Sequence, residues 1–151
     1  MAHLKNDIAL LKLKTPVMLS DKVNTVCLPE QGSRVGDGKI CYITGWGRTV
    51  GGGDVADLLQ QAMLPVGSPA DCREQNAALG PVDEASMICG GSGQPGEAGG
   101  CQGDSGGREE CGKWVLRRIV SWGHSMCKTT HYTVFARDSS YINWINGKMN
   151  G

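Results

Sequence analysis

Apolar residues in this chain gather in short runs separated by glycine and polar turns, the pattern of strands rather than of long helices. The first run, Ile8-Ala9-Leu10-Leu11-Lys12-Leu13, is stopped by Thr15-Pro16, and its shortness suits a buried strand. From Leu19 to Gly38 polar and turn residues dominate around Cys27-Leu28-Pro29, which predicts a connecting segment. Strand-like runs follow at 40–46, 57–66, 86–89, 114–122 and 132–136, each bounded by glycine or polar turns. Several short strands at that spacing predict an all-β barrel or sandwich. Ser68-Pro69-Ala70-Asp71-Cys72 and the residues after it predict a short helix with Ser68 as N-cap. Ser139 and Ser140 similarly precede Tyr141-Ile142-Asn143-Trp144-Ile145, whose apolar positions recur at helical spacing and predict a C-terminal helix packed on the barrel.

Composition sharpens this picture. A length of 151 residues fits one ordinary domain, and 40% hydrophobic with 20% charged residues is enough to bury a core. Lysine plus arginine equal aspartate plus glutamate at 15 each, so no net field favours nucleic acid or an anionic membrane. No stretch is apolar for long enough to span a bilayer. The cysteines at 27, 41, 72, 89, 101, 111 and 127 include no Cys-x-x-Cys pair, which argues against zinc or redox chemistry. Their wide spacing predicts a disulfide framework and an oxidising compartment, with the connectivity left open and one cysteine over. Met1-Ala2-His3-Leu4-Lys5-Asn6-Asp7 carries no basic-then-apolar export signal, a combination that truncation would explain.

The segment Cys101-Gln102-Gly103-Asp104-Ser105-Gly106-Gly107 is the richest in chemistry. Glycines around a serine let the backbone turn with positive φ and aim N–H groups at one point, which suits a nucleophile beside an oxyanion hole. Alone, Gly-Asp-Ser-Gly is as consistent with a flexible acidic loop. It is joined by Asn6-Asp7-Ile8-Ala9-Leu10-Leu11, Cys41-Tyr42-Ile43-Thr44-Gly45-Trp46-Gly47 and Ser121-Trp122-Gly123, and together, in this order, the four motifs resemble the chymotrypsin family of serine proteases.

The resemblance runs from about Asn6 to the final helix. It implies the second six-stranded antiparallel Greek-key barrel of the chymotrypsin-like fold with a C-terminal α-helix, the first barrel being largely absent. Residues 1–26 would be the last strand of the first barrel and the inter-barrel connection, and residues 27–151 the second barrel. It also implies proteolysis through an acyl-enzyme, by the Ser-His-Asp template that this family itself exemplifies. On it, Ser105 is the nucleophile, the N–H groups of Gly103 and Ser105 form the oxyanion hole, and Asp7 is the buried carboxylate that orients the base. Asp104 resembles the aspartate that receives the new N-terminal ammonium after zymogen cleavage. By the same resemblance Cys41 pairs with Cys111, Cys72 with Cys89 and Cys101 with Cys127, each bridge contributing about 3 to 4 kcal/mol. Cys27 is left unpaired, because its family partner lies upstream.

The family's general base, a histidine within Ala-Ala-His-Cys, does not occur in this sequence, nor does an Ile-Val-Gly-Gly activation end. His3, four residues before Asp7, is too far along an extended chain to sit beside it and reads as part of the substrate-binding rim. His124 and His131 read as surface positions. The substrate-binding set implied by the resemblance is Gly99, Gln102, Ser121, Trp122, Gly123 and Thr133. Gly99 at the pocket floor supplies no aspartate for arginine or lysine, and Gly123 with Thr133 favours small or medium apolar side chains.

Two stretches depart from the family. Arg108-Glu109-Glu110 stands where it has Pro-Leu-Val, and Arg117-Arg118 where it has an apolar residue and glycine. These flank an expected hairpin turning at Gly112-Lys113, across which arginine and glutamate can pair, although burying such charges is costly. The resulting reading is a secreted serine endopeptidase, here a fragment with serine and aspartate but no catalytic histidine and so inactive alone. Its rivals are a noncatalytic homologue acting as a binding or regulatory module, and an incomplete product with no role of its own. Protein or peptide substrates are expected, with the missing N-terminal half as a partner through Cys27, and no cofactor, metal, nucleic acid or membrane.

Overall fold

The computed structural model describes residues 4–110 and 115–150, with the backbone alone at 108–110. Among the described residues there are six strands: β1 (Ile40–Gly45), β2 (Gln60–Pro65), β3 (Met87–Gly90), β4 (Arg108–Glu110), β5 (Leu116–Trp122) and β6 (Thr133–Arg137). They form one antiparallel sheet in the order β2-β1-β4-β5-β6-β3. Its two edges meet, because Val66 bridges Gly90, the Gly67 N–H donates to the Cys89 carbonyl and the Gly91 N–H to that of Pro65, both at 2.9 Å. The sheet closes at this corner, and the result is the expected all-β Greek-key barrel.

Side-chain alternation fills the interior. Along β1, Cys41 and Ile43 point inward while Ile40 and Tyr42 face out. The inward residues join Leu64, Val66, Ile88, Val120 and Phe135 in one cluster. A second cluster of Cys72, Met87, Cys89, Tyr132 and Val134 lies where helix α1 (Pro69–Gln75) covers the barrel, and the Cys72–Cys89 disulfide staples that helix to β3. Helix α1 starts where Ser68 Oγ accepts the Asp71 N–H at 3.1 Å, with Pro69 in the first turn, where its missing N–H costs nothing.

Helix α2 (Ile142–Met149) follows a 3-10 turn over Asp138–Ser140 and buries Ile142 and Ile145. Its N-terminus is not capped by the serines before it. Ser139 is buried, and Ser140 Oγ donates to the Ala85 carbonyl at 2.7 Å. Gln31 serves instead, its Oε1 accepting the Asn143 N–H at 2.9 Å.

The expected buried strand at 8–13 is a second revision. The segment belongs to no sheet, and Leu11 is 86% exposed, with Leu10 and Leu13 also open to solvent. A strand is buried only when a ladder and a facing layer exist, and no described strand pairs with it. The run at 57–66 is likewise shorter as a strand, starting at Gln60.

Strands β4 and β5 form a hairpin with Glu109 opposite Arg118; its turn, and the glutamate side chains, lie outside the described residues. Arg118 is 0% exposed. Its Nη1 donates to the Cys89 carbonyl at 2.9 Å and its guanidinium stands 5.1 Å from the Phe135 ring centroid. Gly90 leaves the room, since a Cβ there would lie 3.1 Å from Arg118 Nη1. Arg117 Nη1 donates to Ser33 Oγ at 3.0 Å.

Asp138 is a contrasting buried charge, 1% exposed, with neither carboxylate oxygen accepting a hydrogen bond among the described residues. Desolvation pushes its pKa from 3.8 up to about 7. The folded state therefore holds this proton more tightly than the unfolded chain. The contribution is complete below about pH 4 and is lost as pH rises through about 7, roughly 1.4 kcal/mol per pH unit across that window. Asp138→Asn should remove this slope. In urea unfolding the variant should gain a few kcal/mol on the wild type between pH 4.5 and 7.5, whereas parallel pH profiles would show that Asp138 titrates normally.

Candidate active site

The loop from 101 to 107 is held at both ends and in its middle. The Cys101–Cys127 disulfide fixes its start, and the Gly106 N–H to the Val120 carbonyl (2.9 Å) with the Val120 N–H to the Gly107 carbonyl (3.0 Å) fixes its end on β5. Between them, Asp104 Oδ1 accepts the Gly47 N–H at 2.8 Å and Oδ2 accepts the Cys101 N–H at 3.0 Å. Both carboxylate oxygens are thus engaged by backbone, with Asp104 half-buried. Gly45 and Gly47 make this approach possible, because a Cβ on either would fall on the Asp104 carboxylate.

Gly103 and Gly106 take the left-handed region, at φ +97° and +77°, so the chain reverses tightly around Ser105. Ser105 is exposed on the outside of this turn. Among the described residues no acceptor takes the N–H of Gly103 or of Ser105.

Ser105 lines a cavity of about 220 Å³ together with Gln102, Ser121, Trp122, Gly123 and Thr133. Thr133 Oγ1 accepts the Gly100 N–H at 2.8 Å and so fills one end. Gln102 Nε2 donates to the Ser125 carbonyl across the rim. Ser121 Oγ donates to Asp7 Oδ2, which joins the N-terminal segment to this cavity, and Tyr141 Oη donates to Asn6 Oδ1 at 3.1 Å beside it. Asp7, Ser121 and Ser105 are therefore gathered from segments far apart in sequence.

Three placements differ from the sequence reading. Asp7 is exposed rather than buried, although Ser121 at the end of β5 holds one of its carboxylate oxygens. Gly99 does not line the Ser105 cavity; it lines a neighbouring one of about 230 Å³ with Asp104. A Cβ on Gly99 would stand 3.5 Å from Thr133 Oγ1, so Thr133 occupies the space in front of it. His124 is not a remote surface residue but part of the wall of the Ser105 cavity. Its place directly after Ser121-Trp122-Gly123 was the available signal.

The His124 ring lies 4.7 Å from that of His131, centroid to centroid, and its Nδ1 accepts the Met126 N–H at 3.0 Å. Desolvation, then His131 and Lys128, lower its pKa below the ordinary histidine value. His3 lies outside the described residues. Cys27 is an exposed free thiol. Cys41 is disulfide-bonded, and its expected partner Cys111 lies outside the described residues. No group of three or more His, Cys, Asp or Glu is arranged to hold a metal ion among the described residues.

A family model described as Trypsin matches residues 2–145. Chymotrypsin-C of Bos taurus is 42% identical over 151 residues, covering 96% of this chain and 55% of its own length. Chymotrypsin-C of Rattus norvegicus is 40% identical over 150 residues, and chymotrypsin-like elastase family member 1 of Canis lupus familiaris 41% identical over 145 residues. Each is covered to 55%, so the chain spans about half the length of the curated relatives it matches.

The packing of Gly47 on Asp104 makes a direct prediction. Gly47→Ala should destabilise the chain by about 1 to 3 kcal/mol in urea unfolding, because the added methyl displaces a carboxylate held by two backbone donors. An unchanged midpoint would show that the two loops can separate freely.

Proposed function

The chain belongs to the trypsin family, and from that premise we propose that it is the nucleophile-bearing part of a secreted serine endopeptidase. The observation that carries this is Ser105 at the apex of a glycine turn, in one cavity with the serine that holds Asp7 and beside two unengaged N–H groups. In the proposed reaction Ser105 Oγ attacks a peptide carbonyl and the carbonyl oxygen takes negative charge next to the N–H groups of Gly103 and Ser105. The serine proton passes to a general base, which Asp7 orients, and the base returns it to the leaving amine.

That base is not His124. His124 has Nδ1 engaged by Met126 and lies on the wall that also holds Thr133 and Gly123. We assign the role to a histidine contributed by a first barrel in another segment or chain, with Cys27 as a point of covalent attachment and the apolar residues at 10–28 as the covered surface. The exposure of Leu11, Leu13, Val17, Met18 and Leu19 supports that assignment. Asp104 is the proposed acceptor of an activating N-terminal ammonium, and the disulfides support an extracellular setting. No carboxylate lines the Ser105 cavity among the described residues, which argues against cleavage after arginine or lysine. On the alternative reading, as a binding module, the chain would engage peptides without cutting them.

The test is turnover of peptide 4-nitroanilides. The 151-residue chain alone should be no faster than Ser105→Ala, because an unassisted serine hydroxyl stays protonated. Adding a family first barrel with its Ala-Ala-His-Cys segment should produce turnover that Ser105→Ala abolishes and Asp7→Asn lowers by several orders of magnitude. Serine-dependent turnover by the chain alone would overturn the external base. Failure of the assembled pair would favour the binding module.

A further inference from the structure

The wall of the Ser105 cavity holds one ionisable side chain among the described residues, His124. The tautomer of that ring follows from its surroundings. Met126 N–H donates to Nδ1 at 3.0 Å, so Nδ1 presents its lone pair and the proton of the neutral ring sits on Nε2. The free polar atom of His124 is therefore a donor, which disfavours metal ligation through Nε2 while the Met126 bond holds.

Apart from the Ser105 hydroxyl, the other polar side chains of the wall each bond to the protein. Gln102 reaches the Ser125 carbonyl, Ser121 reaches Asp7, and Thr133 accepts from Gly100. The His131 ring stands 4.7 Å from that of His124, and Lys128 is close enough to act on it electrostatically. No carboxylate lines this cavity among the described residues, the nearby Asp7 carboxylate being engaged by Ser121, and an acidic side chain entering it has the His124 N–H as a donor. An ionised acceptor gains more from such a donor than the isosteric amide does.

We propose that His124 is a specificity-determining residue that selects peptides presenting a carboxylate side chain in the Ser105 cavity. This deepens the reading of Ser105 as nucleophile and rests on it for the identity of the cavity, though not on turnover. Gly123 and Thr133 set the size of the accepted side chain, and His124 sets its polarity. Among small and medium side chains, aspartate and glutamate are then favoured over the apolar ones that wall size alone would suggest.

The experiment is an NMR titration of the full chain with acetyl-Ala-Ala-Pro-Xaa-amide peptides in which Xaa is Glu, Gln or Leu. It follows the Gly103 and Gly123 amides and the His124 ring. The Glu peptide should bind at least about fivefold more tightly than the Gln peptide. In His124→Ala that ratio should fall to about one, and His124→Lys should restore it, a rescue that a merely structural role would not produce. Equal Glu and Gln affinities in the wild type, or a ratio that survives His124→Ala, would overturn the assignment and leave the Ser105 reading standing. If none of the peptides moves these resonances, the cavity is not a peptide subsite and both readings fall.

Discussion

The site depends on where one carboxylate finds its hydrogen bonds. Asp104 sits next to Ser105 in a loop that must fold against the barrel, and a half-buried carboxylate is tolerated there only if its oxygens are engaged. The N–H groups of Gly47 and Cys101 supply that. The contact locks the turn after β1 onto the nucleophile loop, demands glycine at 45 and 47, and sets the direction in which Ser105 leaves the turn. Asp104 is thus engaged by backbone while the N–H groups of Gly103 and Ser105 beside it have no acceptor among the described residues.

The barrel makes this arrangement rigid. Loop 101–107 is tied at one end to Cys127, in the connection between β5 and β6, and at the other to Val120 on β5. Charge inside the barrel is handled in two ways. Arg118 finds a carbonyl and an aromatic face, which offset part of its desolvation. Asp138 finds no partner among the described residues, so its burial appears as a raised proton affinity instead. The same burial therefore rigidifies one place and makes stability pH-sensitive at another.

The N-terminal segment is attached to the site by polar contacts while its apolar side chains face solvent. Asp7 is consequently positioned by Ser121 but not enclosed. Under the proposed function this is an incomplete half-site, in which the nucleophile and the electrostatic cradle come from one barrel and the proton acceptor from elsewhere. Enclosure of Asp7, and the lower dielectric that would strengthen its hold on a base, then arrive with the surface that covers Leu11 and its neighbours.

Much of the architecture was legible in the sequence because it is set locally. The runs at 40–46, 86–89 and 132–136 alternate or bury as strands wherever they are placed, and Ser68-Pro69 starts a helix through its own hydroxyl and ring. The glycines around Ser105 similarly announce a reversal that other residues resist. What the sequence could not decide was anything that depends on a distant partner. Ile8 to Leu13 has a strand's composition but no ladder, Gln31 rather than the adjacent serines caps α2, and Thr133 stands in front of Gly99. His124 looked like surface until the fold laid the end of β5 beside the Ser105 loop. Local chemistry determined which elements form and which residues are reactive, and only tertiary contacts decided which of them share a cavity, because burial and hydrogen-bond partners are properties of neighbours in space.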